Sequence, residues 1–374
     1  MLKVCLHKDF EGSVRAMIIE CQSIKFQNSD MAFVKKYGLL KAAEMILDFK
    51  KNNPVPFIGD AFQLASFFEI SYKQLFRAVR NCNKTYRYVT IKKKNGNDRM
   101  LLVPCKQLKQ LQKIILRRIL NKIPVSEYAT AYKKGATLYD NASPHTNKKY
   151  ILKIDITDFF NSIYFTTVYR DVFRNYYSEQ ISYMLAKLCC KDDFLPQGAP
   201  TSPALSNLVL KDFDDYIGRW CKRRGVTYTR YCDDMTFSSD EPIYYIHKKV
   251  KDELDRLGFD LNEKKTVFVS NAKRQSVTGL TVNEKVTVSK DYKRKLRQEV
   301  HYALKFGFED AIIKSNNRNF IVAENDGELP DALKYKNTLV GRVNFVLQIE
   351  PENKWFKTAA KDLAEKDLFE CEIY

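Results

Sequence analysis

Two aspartates stand side by side at Asp233 and Asp234, behind Tyr231 and Cys232. Adjacent carboxylates repel, and a tight turn concentrates that cost. A bound divalent cation offsets it; an ordinary polar turn is the other setting for such a pair. The flanking runs alternate, Val226-Thr227-Tyr228-Thr229-Arg230 before and Met235-Thr236-Phe237-Ser238 after, so the pair reads as the tip of a β-hairpin. A third carboxylate, Asp155, closes the run Tyr150-Ile151-Leu152-Lys153-Ile154, which reads as a buried strand. Beside Phe159 and Phe160 such a carboxylate is costly unless it is paired or bound to metal. It is the stronger pointer of the two.

Two further stretches could handle phosphates and bases. Tyr86 to Ile91 and Met100 to Val103 read as arms of a second hairpin, with Lys92-Lys93-Lys94, Gly96 and Arg99 around its tip. A solvated charge run is one reading of those lysines; a rigid cationic grip on a triphosphate is the other. Leu195-Pro196-Gln197-Gly198-Ala199-Pro200-Thr201-Ser202-Pro203 is a turn that runs into an apolar helix expected over 204–217. Small residues there let a base pair or a backbone approach closely, and Gln197 offers donor and acceptor together.

The elements that carry these residues follow from periodicity and breakers. Residues 1–55 read as largely helical until Asn52-Asn53-Pro54-Val55-Pro56, and two short helices are expected to meet near Ile70-Ser71. Helical spacing from Leu108 to Ile123 ends at Pro124, and further helices are expected around 177–190 and 246–257. Asn141-Ala142-Ser143-Pro144-His145 reads as an irregular loop, Val267-Phe268-Val269 as a strand, and Ser276-Val277-Thr278-Gly279-Leu280 as the start of a hairpin. From Asp291 onward the chain is basic and mostly helical, with Lys293, Arg294, Lys295 and Arg297 in one cluster and a polar loop at 324–328.

Composition narrows the class. The 374 residues, 45% hydrophobic, suffice for two or three domains or subdomains with a good core. No run approaches the roughly 18 apolar residues of a membrane span, and Met1 to Lys8 lacks the apolar stretch of a leader; a cytoplasmic protein away from membranes is expected. Nine scattered cysteines without a C-x-x-C pair, and four histidines, argue against a zinc site and a disulfide framework. Lysine and arginine outnumber acids 63 to 45, for a net charge of +18, which points to a polyanionic partner. The 22 tyrosines and 24 phenylalanines supply rings that stack on bases.

Basic hairpin, strand ending in aspartate, Gln-Gly turn, Asp-Asp hairpin: in this order the chain resembles the fingers and palm of reverse transcriptases over residues 85–280. Tyr231 to Asp234 matches the family's Tyr-x-Asp-Asp box, Asp155 its first catalytic aspartate, and Leu195 to Pro203 its Leu-Pro-Gln-Gly-x-x-x-Ser-Pro motif. Asn141-Ala142-x-x-His145 and Val277-Thr278-Gly279 resemble the extra elements of bacterial retron reverse transcriptases. The short length, without an added maturase or endonuclease segment, agrees with that group, while the region before Asp60 exceeds its shortest members. The resemblance implies an α+β fold: a right-hand polymerase with fingers, a palm of antiparallel sheet plus helices, a helical C-terminal thumb and a helical N-terminal extension. The expected boundaries are 1–58 for the extension, 59–149 for fingers, 150–288 for palm and 289–374 for an RNA-binding thumb.

It also implies RNA-directed DNA synthesis at a two-metal Mg2+ site, with Asp155 and Asp233 bridging, Asp234 assisting and the Ile156 carbonyl completing the ligands. Lys92, Lys93 and Arg99 would hold the dNTP triphosphate, while Gln197 and Gly198 would line the nascent base-pair pocket. Phe160 stands at the family's steric gate against a ribose 2′-OH, with core packing as the alternative. Lys265 would donate a proton to pyrophosphate or be a solvated turn lysine. His145, Val277, Thr278, Gly279, Lys293, Arg294 and Arg297 would contact RNA or primer, a folding role being the alternative for His145. The implied partners are a cognate retron non-coding RNA (msr-msd), primed from a guanosine 2′-OH to give branched msDNA, and an effector protein of an antiphage system. The competing readings are a group II intron-like or diversity-generating reverse transcriptase, and an RNA-binding scaffold that restrains an effector.

Overall fold

The computed structural model describes residues 30–92, 98–315, 318–324 and 327–366. Helices α1 (Asp30–Tyr37) and α2 (Leu39–Asn52) are separated by Gly38, at a φ of 80° that favours glycine. Helix α3 (Ala61–Phe67) begins at Asp60, whose carboxylate accepts from the Gln63 N–H, and α4 (Tyr72–Asn81) begins from a Ser71–Gln74 capping box. Strands β1 (Tyr86–Lys92) and β2 (Asp98–Pro104) pair antiparallel from Tyr86↔Pro104 to Lys92↔Asp98. Lys93 lies outside the described residues. Helix α5 (Lys106–Arg118) follows, and α6 (Leu138–Ala142) starts from a Thr137–Asp140 capping box where the sequence suggested an irregular loop.

Strand β3 (Tyr150–Asp155) leads through short helical turns over 165–175 to α7 (Glu179–Cys189), α8 (Ser202–Val209) and α9 (Lys211–Lys222). The single helix expected over 204–217 is broken at Leu210, where a wholly buried side chain accompanies a ψ of 6°. Then come β4 (Thr227–Tyr231), β5 (Asp234–Ser239), α10 (Tyr245–Arg256), β6 (Val267–Ser270), β7 (Ser276–Val277) and β8 (Leu280–Thr281). The chain continues with α11 (Lys290–Phe306), α12 (Phe308–Ser315), β9 (Ile321–Glu324), β10 (Gly327–Pro330), α13 (Ala332–Ile349) and α14 (Lys354–Glu365). Of the polar stretch expected as a loop, Glu324, Gly327 and Glu328 belong to the antiparallel β9–β10 ribbon, and 325 and 326 lie outside the described residues.

Contacts divide the chain into two compact units. One comprises Met1–Lys134, Asp155–Arg219 and Val250–Asn262. Its buried residues include Leu64, Leu75, Ile115, Ile119, Phe173 and Leu185. The buried Gln112 amide ties three of its elements, donating to the Tyr86 hydroxyl (2.8 Å) and the Leu188 carbonyl (2.9 Å). Cys189 and Cys190 are buried here, and burial pushes the Cys189 thiol up to about 12, which makes this pair inert core rather than a redox centre.

The other unit comprises Gly135–Ile154, Trp220–Lys249 and Glu263–Tyr374. It holds the sheet β4-β5-β3-β6, in which β4 pairs antiparallel with β5 and β3 with β6. A continuous apolar cluster joins Ile151 and Ala142 to Val277 and Leu280 of β7–β8, and these to Leu296, Val300, Leu339, Val343 and Phe356 of the C-terminal helices. Among the described residues no helix is long and apolar enough to cross a membrane.

Candidate active site

The β4–β5 hairpin closes at the pair Tyr231↔Asp234, leaving Cys232 and Asp233 as a two-residue turn. Such a turn needs positive φ, and Cys232 adopts 62° without being glycine. Arg230, fully buried, donates from its guanidinium to the Cys232 carbonyl at 2.9 Å and holds that conformation. Asp233 is half-buried and Asp234 exposed. Apart from Arg230, the residues facing away from the turn pair are apolar: Tyr228 and Phe237 stack with centroids 4.7 Å apart.

Asp155 ends β3 with 5% of its surface exposed. Its carbonyl accepts from the Asn262 N–H at 2.8 Å, Ile156 bridges to Leu261, and the Thr157 N–H donates to the Asp260 carbonyl at 2.8 Å. The backbone around the predicted first aspartate is therefore fixed on both sides. The sheet order makes β3 a neighbour of β5. Among the described residues no group of three His, Cys, Asp or Glu side chains stands ready to hold a metal ion unaided. An all-oxygen set of few carboxylates fits a hard cation that keeps water and substrate phosphate in its shell.

The nucleotide candidates other than Lys265 fall in the first unit. Lys92 and Arg99 are exposed on β1 and β2, one position apart in register. The Leu102 N–H of β2 donates to the Gln197 carbonyl at 2.8 Å, so the cationic hairpin and the Gln-Gly turn are joined. Gly198 has φ +131°, and a Cβ there would stand 2.7 Å from the Leu102 oxygen. Its smallness serves this close approach of β2. Ser202 Oγ donates to the Pro196 carbonyl at 2.8 Å and closes the turn. Phe159 is the core ring, packed on Phe259; Phe160, half-buried, tilts against Phe159 at 5.4 Å. Lys265, in the second unit, is exposed on a short helical turn.

The candidates for RNA contact divide. His145 is wholly buried, with Nδ1 2.7 Å from Ser238 Oγ and Nε2 2.8 Å from Thr229 Oγ1. Burial lowers its pKa to about 3, so the ring is neutral. Direct RNA contact by His145 is thereby corrected to a role inside the protein. Val277 is core as well, while Thr278 (φ +44°) and Gly279 (φ +86°) form the turn beside it. The Asn141 amide donates to Thr278 Oγ1 at 3.4 Å. Lys293 is another correction: its ammonium donates to both oxygens of Glu350, at 2.7 and 2.9 Å, and is 15% exposed. Burial pushes the Glu350 carboxyl up, but the bonds from Lys293, Asn353 and the Val288 N–H outweigh it and hold the carboxyl below its usual range. Arg294 is exposed and paired with Asp291, and Arg297 lies over the rings of Trp355 and Phe356.

Arg230 escaped sequence reasoning. The signal was present: it shares strand parity with the buried Tyr228, and an arginine on the inward parity of an apolar strand needs a fixed acceptor.

The reverse transcriptase (RNA-dependent DNA polymerase) family profile matches residues 91–291. The chain is 32% identical over 271 residues to the Retron Ec86 reverse transcriptase of Escherichia coli, covering 70% of this chain and 84% of that one. It is 33% identical over 236 residues to the Retron Mx65 reverse transcriptase of Myxococcus xanthus, covering 57% and 55%. A solved telomerase from Candida albicans, in complex with a fragment of telomeric RNA, superposes with a TM-score of 0.40 at 14% identity, over 76% of this chain and 57% of that one.

Proposed function

The chain belongs to the retron reverse transcriptases, RNA-directed DNA polymerases of mixed helix and antiparallel sheet, and from that premise we propose that Asp155, Asp233 and Asp234 form its metal site. Reverse transcriptases use divalent metal ions; the oxygen donors present suit Mg2+. When bound, two such ions lower the barrier by activating the primer hydroxyl and neutralising the leaving pyrophosphate. The protein's part is to hold carboxylates still. Asp155 does so from the end of a buried strand with the Ile156 carbonyl beside it, and Asp233 from a turn that Arg230 fixes.

Lys92, Lys93 and Arg99 hold the dNTP triphosphate, Gln197 and Gly198 line the base-pair pocket, Phe160 screens the sugar and Lys265 supplies a proton to pyrophosphate. Thr278 and Gly279 with Arg294, Lys295 and Arg297 meet the RNA. Residues 59–149 serve as fingers, 150–288 as palm and 289–374 as thumb, with 1–58 as an extension. The template is a cognate structured RNA, primed from a 2′-OH to yield branched msDNA, in the cytoplasm and within an antiphage system that includes an effector protein. The likeness to named retron enzymes over most of the chain supports this context.

The braced Asp233 turn carries the proposal. Asp233→Asn keeps the size and removes the charge, so DNA synthesis should fall by ~10³-fold or more while RNA affinity persists. Primer extension and RNA gel shifts measure the two separately. Extension near the wild-type rate would sink the assignment.

A further inference from the structure

The face of the β4–β5 hairpin that carries Tyr231 and Asp234 continues with Thr229, Thr236, Thr227 and Ser238. Thr229, Thr236 and Ser238 are buried, although buried strand faces are normally apolar. Hydroxyls placed there need partners. The segment that covers this face supplies two of them from one ring: His145 spans from Thr229 on β4 to Ser238 on β5, at 2.8 and 2.7 Å. A neutral imidazole has one N–H and one lone pair, so it donates to one hydroxyl and accepts from the other. Helix α6, which ends three residues upstream, packs against β4 and β8. Just beyond the ring, Lys148 Nζ donates to Asp240, the residue after β5, at 3.0 Å. The 137–149 segment thus braces the half of the hairpin away from its turn, and Thr229 lies four residues, or about 13 Å of strand, from Asp233.

We propose that His145 is a positioning residue for the Asp233–Asp234 turn, acting through the hydroxyls of Thr229 and Ser238. An aliphatic residue at 145 would leave two buried hydroxyls without partners and free the strands to shift against their cover. Carboxylates displaced by a fraction of an ångström lose rate steeply, of order 10²-fold for 1 Å. Asn141 and Thr278 join the same brace to the Val277-Thr278-Gly279 turn, so the two elements that set this chain apart from a bare polymerase palm meet in one structure.

The proposal rests on Asp233 and Asp234 being the metal site, and the test separates the two. His145→Phe fills the volume without the hydrogen bonds. Single-turnover extension should slow ~10- to 100-fold, with dNTP KM and RNA affinity within about 2-fold of wild type. The triple variant H145F/T229V/S238A removes donors and acceptors together, which is close to neutral for burial, and should recover most of the lost rate. Unchanged extension by H145F beside an inactive D233N would overturn the positioning role alone; an active D233N removes the metal assignment first. Lost RNA affinity with an unchanged rate would return His145 to RNA contact, and a triple variant as slow as H145F would exclude action through the hydroxyls. If H145F does not fold, T229V and S238A, each losing one hydroxyl, take its place. Slower extension at a near-wild-type melting temperature supports the brace, and wild-type rates in both refute it.

Discussion

The hairpins β1–β2 and β4–β5 are built on the same antiparallel ladder and live in opposite surroundings. In β1–β2 most side chains face solvent, Tyr88 at 67% and Met100 at 62%, and the cations sit toward the tip. Its anchor is a backbone bond from Leu102 to Gln197, with Gly198 as the spacer that permits it. In β4–β5 one face is apolar except for Arg230, whose buried guanidinium fixes the turn, and the other is hydroxyl-lined and braced by His145. A charge that must meet a mobile triphosphate belongs on an accessible arm with a fixed root. A carboxylate that must hold a metal belongs on a turn with no freedom. The energetic consequence is that variants which break the Arg230 anchor of β4–β5 should lose rate and stability together, and β1–β2 variants chiefly affinity for nucleotide.

Arg230→Met tests the rigid side most severely. It keeps the stem and removes the bond to the Cys232 carbonyl. We expect a stability loss of about 1–3 kcal/mol, from the buried Cys232 carbonyl left without its donor, and kcat down by ~10²-fold or more. Chemical denaturation and single-turnover extension read both. Wild-type extension by this variant would mean the turn needs no brace, and the contrast with β1–β2 would collapse.

Gly198→Ala is the next largest change and strikes the root of the accessible arm. A methyl 2.7 Å from the Leu102 oxygen, at a φ of +131°, forces β2 and the Gln197 turn apart. A destabilisation of about 1–3 kcal/mol and a ~10-fold rise in dNTP KM are expected, with kcat less affected. A fall in kcat with KM unchanged would show that the turn serves the chemistry rather than nucleotide capture. Lys92→Ala and Arg99→Ala should act more gently still, each raising dNTP KM several-fold without moving the melting temperature, and by less at high salt. Their effect should vanish into the noise near 1 M salt if both charges stay in solvent.

Much of this was legible in the sequence because it is local. Alternation placed the Asp233–Asp234 turn and the cationic hairpin, and an apolar run delivered Asp155 to a strand end. The rest depends on partners far away in the chain. His145 reads as a loop histidine until Thr229 and Ser238, 84 and 93 residues on, are folded over it. Lys293 reads as one of four surface cations, and Glu350, 57 residues later, makes it structural. Gly198 reads as room for a base pair or a backbone, and the sequence does not say that the backbone is that of β2. Periodicity states which face is buried, not what buries it.

The smallest expected effect is a test by pH, and it separates the hairpins without touching substrate. The folded-state pKa of His145 lies at about 3, below the roughly 6.5 of an unfolded histidine. Between those values the unfolded chain binds a proton that the folded chain refuses, so His145 favours folding above pH 6.5 and that contribution is lost on acidification toward 3. The slope from this one group is at most about 1.4 kcal/mol per pH unit. The β1–β2 hairpin contains no histidine and adds nothing to it. Denaturation midpoints of wild type and H145F, followed from pH 7.5 to 5, should therefore draw together, the wild type falling more steeply. Over pH 6.5–8 the ratio of their extension rates should stay flat, because the buried ring does not titrate there. A ratio that changed with a midpoint near 6.5 would mean that the imidazole reaches solvent during turnover, and β4–β5 would then be a moving part rather than a fixed one.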